Sequence, residues 1–204
     1  MIKAVIFDFG RVISSQKPES LFRTYENDLG LAPDSINDIM FGSSLWQEAL
    51  LGQRTAKEFW YAIGPELGLD SDDKIDEFRY RYYADESINT GVSNIIRHLH
   101  GRYKLAVLSN YPSGLNKWLA SCELLDLFDE VFCSGDEGLV KPDPAAYNLT
   151  LQRLNERPKE AVFIDDTAGH VEAALNLGIH GIIFSDAAGL KRDLRRLLDR
   201  KIQR

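Results

Sequence analysis

The chain has 204 residues, 44% of them hydrophobic and 27% charged, with a formal net charge of -7 at pH 7. This balance excludes a disordered or fibrous chain, and the length allows one substantial core with at most a small second unit. The acidic surplus argues against a nucleic-acid partner, and no apolar run is long enough to cross a bilayer.

The N-terminal apolar stretch ends at Asp8, too early for a signal peptide, so a cytoplasmic protein with no membrane partner, monomeric or homodimeric, is expected. Ala4-Val5-Ile6-Phe7 reads as a strand buried on both faces. From about Lys17 to Glu86 the pattern changes to aromatic and Leu residues at helical spacing, with no convincing strand. We read 15–86 as an all-helical insert between the two parts, 1–14 and 87–204, of an α/β core. Helix starts are expected at Pro33-Asp34 and at Thr55, where Glu58 completes a capping box. Gly30, Gly52, Gly64 and Gly68 are the expected breaks. Trp46, Phe59, Trp60, Tyr61, Phe78, Tyr80, Tyr82 and Tyr83 are expected to form the core of the insert and its seam with the sheet.

Beyond the insert, Val92, Ile95, Ile96 and Leu99 mark a helix before the run Leu105-Ala106-Val107-Leu108. Shorter or equal runs follow at Val131-Phe132-Cys133, Ala161-Val162-Phe163-Ile164 and Gly181-Ile182-Ile183-Phe184, and Leu190, Leu194, Leu197 and Leu198 mark a last helix. Alternating strand and helix predicts a Rossmann-like parallel sheet with helices on both faces, plus the small helical unit. Cys122 and Cys133 read as small core residues of a reducing compartment. His98, His100 and His180 read as surface or core-edge residues, and the basic run Lys191–Arg204 as a solvated helix face.

In an open parallel sheet, ligands bind beyond the carboxyl ends of the strands. The residues there are Asp8, Ser109-Asn110, a loop Lys141, and Asp165-Asp166. Each alone has a plain reading as a helix cap, a turn former or a loop charge. Together they have one coherent chemical use. Carboxylates are hard oxygen ligands for Mg²⁺, and a hydroxyl with an ammonium can hold phosphoryl oxygens.

Four segments carry a resemblance: Phe7-Asp8-Phe9-Gly10-Arg11-Val12-Ile13, Leu108-Ser109-Asn110, Lys141-Pro142-Asp143-Pro144 and Phe163-Ile164-Asp165-Asp166-Thr167. In order and spacing they resemble the motifs of the haloacid dehalogenase-like hydrolase superfamily, in the branch with a helical cap after the first motif. The resemblance implies a Mg²⁺-dependent phosphatase acting on a small phosphorylated metabolite. Asp8 would be the nucleophile, forming an aspartyl-phosphate. Ser109, Asn110 and Lys141 would bind the phosphoryl group. Asp8, the Gly10 carbonyl, Asp165 and Asp166 would hold the metal, with Asp166 the more direct ligand of the last two.

Two departures from the family pattern stand out. Gly10 replaces the Asp that gives most of these phosphatases a general acid and base, and His170 stands where relatives usually carry Asn. Glycine moves no proton, so either turnover is slowed or another group supplies the proton. His170 reads as a helix-face or supporting residue, and as a proton shuttle in the sharper alternative. Two other functions compete: a phosphate-binding or regulatory module with little turnover, and a haloacid dehalogenase in which the same Asp attacks carbon. Gln53 and Arg54 are candidate cap residues reaching the site.

Overall fold

A computed structural model of the protein describes residues 1–198. The β-branched runs form five strands: β1 (Ala4–Phe7), β2 (Lys104–Ser109), β3 (Glu130–Cys133), β4 (Ala161–Asp165) and β5 (His180–Ile183). All neighbours pair in parallel, in the order β3-β2-β1-β4-β5. The sheet is flanked by α6 (Thr90–Leu99), α7 (Leu115–Ser121), α8 (Ser134–Glu137), α9 (Pro144–Leu154), α10 (Ala168–Asn176) and α11 (Ala187–Leu198). The fold is an α/β, Rossmann-like sheet, as the alternation of patterns predicts.

Period-two alternation divides the strands between two cores. Val5, Phe7, Leu105, Val107, Val162 and Ile164 face α6, α7 and α11. Ala4, Ile6, Ala106, Leu108, Ala161 and Phe163 face α9 and α10. β5 departs from the expected two-sided burial. It lies at the sheet edge and begins one residue earlier than expected, and its Ile183 is 58% exposed. Cys122 and Cys133 are both free thiols, half-buried and buried respectively. Residues 199–204, the end of the basic run, lie outside the described residues.

Between β1 and α6 lie α1 (Glu19–Leu29), α2 (Ile36–Phe41), α3 (Ser44–Leu50), α4 (Ala56–Ile63) and α5 (Asp72–Ala84). Thr55 and Glu58 form the full capping box, with the Thr55 side chain accepting from the Glu58 amide and the Glu58 carboxylate accepting from the Thr55 amide. α2 starts at Ile36 rather than at Pro33-Asp34, because Asp34 takes a left-handed φ of 64° that no helix continues. These helices enclose a separate core of Tyr25, Ile36, Met40, Phe59, Trp60 and Phe78. Tyr80 does not join it and is 78% exposed. It sits two residues from Phe78, and a helix turns such a pair onto different faces.

Two adjacent segments tie the helical unit to the sheet. Ser14 bridges Ile88 in antiparallel fashion, and the Ser15 amide donates to the Ser87 carbonyl at 2.7 Å. Next to them the Lys17 ammonium pairs with Glu86 and lies 4.5 Å from the centre of the Tyr82 ring. A second seam joins Gly52, after α3, to Gly135 in α8. A β-carbon at Gly52 would stand 2.5 Å from the Gly135 carbonyl oxygen, and Gly52 also holds a φ of +69°. Gly52→Ala should therefore cost about 1–3 kcal/mol. For a chain of this size that lowers the midpoint by about 2–4 °C per kcal/mol, measured by thermal unfolding. An unchanged midpoint would mean that this seam yields freely.

Candidate active site

Strand register decides which acids meet. Phe7 pairs with Ile164 across β1 and β4, so the next residues, Asp8 and Asp165, emerge side by side at the carboxyl end of the sheet. The Asp8 amide is fixed by the Ile164 carbonyl at 2.8 Å. Ser109 closes β2 on the other side of β1, with Asn110 directly after it. Lys141 reaches in from the loop between α8 and α9. Its position is set by Asn110, whose side-chain oxygen accepts from the Lys141 amide at 2.7 Å and whose amide group donates to the Lys141 carbonyl at 2.9 Å.

The Lys141 ammonium donates to Asp8 Oδ1 at 2.8 Å and to Asp165 Oδ2 at 2.6 Å. All three side chains are nearly excluded from solvent. Two carboxylates against one ammonium leave this buried group with a surplus negative charge. Burial pushes the Asp8 carboxyl above the usual carboxylate range, and the attraction of Lys141 only partly offsets it. Asp165 is buried as well, but hydrogen bonds from His170 Nδ1 at 3.0 Å, from Lys141 and from the Thr167 amide at 2.8 Å hold it down at about 2.

Asp166 completes the acid set. Asp8, Asp165 and Asp166 each offer an oxygen, all within 4.8 Å of one another. Hard carboxylate oxygens around surplus negative charge are the donor chemistry that suits a small divalent cation such as Mg²⁺. The two neighbouring acids differ in burial and in what holds them. Asp165 is fully buried and spends Oδ2 on Lys141 and His170 and Oδ1 on Thr167, whereas Asp166 is half-buried, its Oδ1 accepting from the Thr167 hydroxyl at 3.3 Å and its Oδ2 meeting Arg11 Nε at 2.9 Å, an arginine whose side chain is itself 57% exposed.

After Asp8 the backbone makes a single wide turn, Phe9–Ile13, in which Arg11 takes a φ of 60°. Gly10 needs no special freedom there. Its φ is -64°, and a β-carbon built on it meets nothing within 4 Å. Above the acids lies a cavity of about 570 Å³, bordered by Asp8, Gly10, Ser109, Asn110, Lys141 and Asp166 on one side and by the helical unit on the other. A cavity of similar size, about 610 Å³, is lined by residues of α6 and α11 and holds none of these acids.

The structure thus brings Asp8, Gly10, Ser109, Asn110, Lys141, Asp165 and Asp166 together, with His170 beside them. Gln53 and Arg54 do not border this cavity. Arg54 turns instead to Glu48, at 2.8 and 3.0 Å, within the helical unit. His98 contacts Arg102, and His100 bonds the Leu127 carbonyl, both away from the acids. Three features have no local signal in sequence: the Arg11 pairing with Asp166, the Asn110 clamp on Lys141, and the His170 bond to Asp165.

Residues 2–178 match a family model for hydrolases, the haloacid dehalogenase-like hydrolase family. The chain is 26% identical over 198 residues to the sesquiterpene phosphatase astK of Aspergillus oryzae, covering 96% of each chain. It is 25% identical over 207 residues to the D-ribitol-5-phosphate phosphatase of Bacteroides thetaiotaomicron, covering 98% of this chain and 100% of the relative. Several other relatives are longer, and the chain spans 38% of their length or less. Among solved structures, a HAD family enzyme from Bacteroides thetaiotaomicron in complex with magnesium and inorganic phosphate aligns with a TM-score of 0.75 at 22% identity. The alignment covers 91% of this chain and 96% of that one.

The raised Asp8 pKa makes a stability prediction. A carboxyl whose pKa is higher in the fold than in the unfolded chain destabilises the fold wherever it is ionised, and below the unfolded value of about 3.9 the effect vanishes. Metal-free Asp8→Asn should therefore melt higher than the parent at neutral pH. Its advantage should disappear as the pH falls below about 4. Thermal unfolding in chelator across that range measures this; a lower midpoint at neutral pH would mean that losing the Lys141 partner outweighs the relief.

Proposed function

Because the chain belongs to the haloacid dehalogenase-like hydrolases, we propose that it is a Mg²⁺-dependent phosphatase of a small phosphorylated metabolite, with Asp8 as nucleophile. The observation that carries this reading is the Lys141 ammonium shared by Asp8 and Asp165 at adjacent strand ends, with Asp166 beside them. An Asp8 oxygen attacks phosphorus as the ester oxygen departs with its electron pair. Water then attacks the phosphorus of the aspartyl-phosphate and frees Asp8. Ser109 and Asn110 hold phosphoryl oxygens, and Lys141 keeps Asp8 ionised and aimed.

Asp8, the Gly10 carbonyl and Asp166 would hold Mg²⁺, with Asp165 behind them, and the ion when bound supplies positive charge against an anionic ester and an anionic nucleophile. Asp165 serves chiefly to anchor Lys141 and His170. The helical unit, 15–86, acts as a cap over Asp8, and its residues select the substrate. Two relatives matched along nearly all of their length are named as a sesquiterpene phosphatase and a D-ribitol-5-phosphate phosphatase. Those names support phosphate-ester hydrolysis and leave the alcohol open.

Gly10 favours a second reading, in which the protein binds phosphate and turns it over slowly. A positioned general acid is worth roughly 10²–10⁴ in rate, and the loss falls on poor leaving groups. The haloacid dehalogenase reading is weaker, because three clustered acids repel an anionic haloacid and a carbon electrophile needs no metal.

Phosphatase activity should require Mg²⁺ and be lost in Asp8→Asn, and Asp166→Ala should weaken metal binding more than it lowers stability. A steady-state assay with p-nitrophenyl phosphate, with calorimetric Mg²⁺ titration, measures both. Full activity in chelator or in Asp8→Asn would overturn the mechanism. The open space at Gly10 makes a further test sterically free. Gly10→Asp should raise turnover of alkyl phosphates more than that of p-nitrophenyl phosphate, by up to roughly 10²–10⁴. If the parent already cleaves alkyl phosphates efficiently and Gly10→Asp slows it, another group supplies the proton, and His170 is the first to replace.

A further inference from the structure

The cavity above Asp8 has two unlike ends. Its floor is the charged cluster already described. Its roof is supplied by the helical unit and has a continuous apolar part formed by Phe22, Phe41 and Trp46 with Met40, Phe59 and Trp60, the last three almost fully buried, beside Lys17, Tyr82, Tyr83 and Glu86. The aromatic side chains pack against one another, Phe41 edge to face on Trp46 with centroids 4.9 Å apart and Trp46 tilted by 60° against Phe59 with centroids 5.4 Å apart. Such a wall is preformed and presents ring surface rather than hydrogen-bonding groups.

Two of the polar side chains that the helical unit places on the same walls, Tyr83 and Lys17, are engaged. Tyr83 accepts a hydrogen bond from Trp60 Nε1 at 3.0 Å. Lys17 is paired with Glu86 and covered by the Tyr82 ring. Gln16 and Asn37 border the cavity but are exposed to solvent at its rim. A polyol or nucleobase drawn under this roof would strip water from several donors and acceptors. Each one left unpaired weakens binding roughly fivefold to a hundredfold. A hydrocarbon gains from the same surface.

Resting on the reading that Asp8 attacks a phosphate monoester, we propose that the substrate is the phosphate monoester of a hydrocarbon alcohol. The phosphate lies on the charged floor and the apolar tail among the aromatic side chains of the roof. The bond from phosphorus to the alcohol oxygen breaks as the Asp8 bond to phosphorus forms. The alcohol oxygen leaves with the electron pair and takes a proton from water. A second water attacks phosphorus and breaks its bond to Asp8, its surplus proton passing to the hydroxide left by the first, so that in sum one ester and one water give alcohol and inorganic phosphate.

The test is a series of n-alkyl phosphates from butyl to dodecyl, kept below their micellar concentrations, beside glucose 6-phosphate, with the Mg²⁺-loaded protein. kcat/KM should rise roughly fourfold per methylene until the cavity is filled. Glucose 6-phosphate should fall at least tenfold below the hexyl ester. The variant F22Q should flatten the slope. Fluorescence of Trp46 and Trp60, titrated with the same esters in D8N, gives an independent reading of affinity. Affinity that rises with tail length in D8N, in a protein whose parent turns over no ester, would uphold the tail site and sink the nucleophile. Asp8-dependent hydrolysis of p-nitrophenyl phosphate with a flat alkyl series, or with glucose 6-phosphate preferred, would overturn the apolar substrate and leave the phosphatase standing.

Discussion

One ammonium group, that of Lys141, holds the site together. It stands between Asp8 and Asp165, two carboxylates that parallel register forces side by side at the ends of β1 and β4. Without a cation between them, two buried carboxylates at this spacing cannot both stay ionised. The fold invests accordingly in fixing Lys141. Asn110 grips its backbone from both sides, and Asp165, its stronger partner, is itself secured by His170 and the Thr167 amide. The asymmetry matters for chemistry. Asp165 is saturated with hydrogen bonds and stays ionised as an anchor, while Asp8 keeps an oxygen free and pays for its burial in a raised pKa.

The sheet and the helical unit contribute different things. The sheet delivers Asp8, Asp165 and Asp166 at fixed spacing, because they sit at or just beyond the ends of buried strands whose position the core enforces, and Lys141 joins them from the loop between α8 and α9. The helical unit delivers shape and apolar surface. It is joined to the sheet by two short paired segments and by the close approach of Gly52 to Gly135, so the aromatic roof and the charged floor can be set relative to each other with few contacts. A reaction centre built this way can keep its chemistry while the roof changes its substrate.

Much of this arrangement was legible from sequence. The strands announced themselves as short β-branched runs, and the acids, the Ser-Asn pair and Lys141 stood where a parallel sheet presents its ligands. The Thr55–Glu58 capping box was local and therefore readable. What escaped was tertiary. Arg11 meets Asp166, and His170 meets Asp165, only because distant segments converge on the strand ends. The wide turn after Asp8 depends on a left-handed Arg11, and a non-glycine residue gives no warning of that. Gln53 and Arg54 follow a glycine break, which suits residues that reach the site, but nothing in their spacing fixes the direction of that turn. Composition groups Tyr80 with the core aromatics, whereas the helix face separates it from them.

The central claim is that Asp8 itself bonds to phosphorus. Borohydride reduces an acyl-phosphate to an alcohol and leaves a free carboxylate untouched, so reduction during turnover, followed by peptide mass spectrometry, marks the nucleophile. The account predicts homoserine at position 8, only in the presence of an ester substrate and Mg²⁺. Steady hydrolysis with an unmodified Asp8, or with the mark on Asp165 or Asp166, would contradict it.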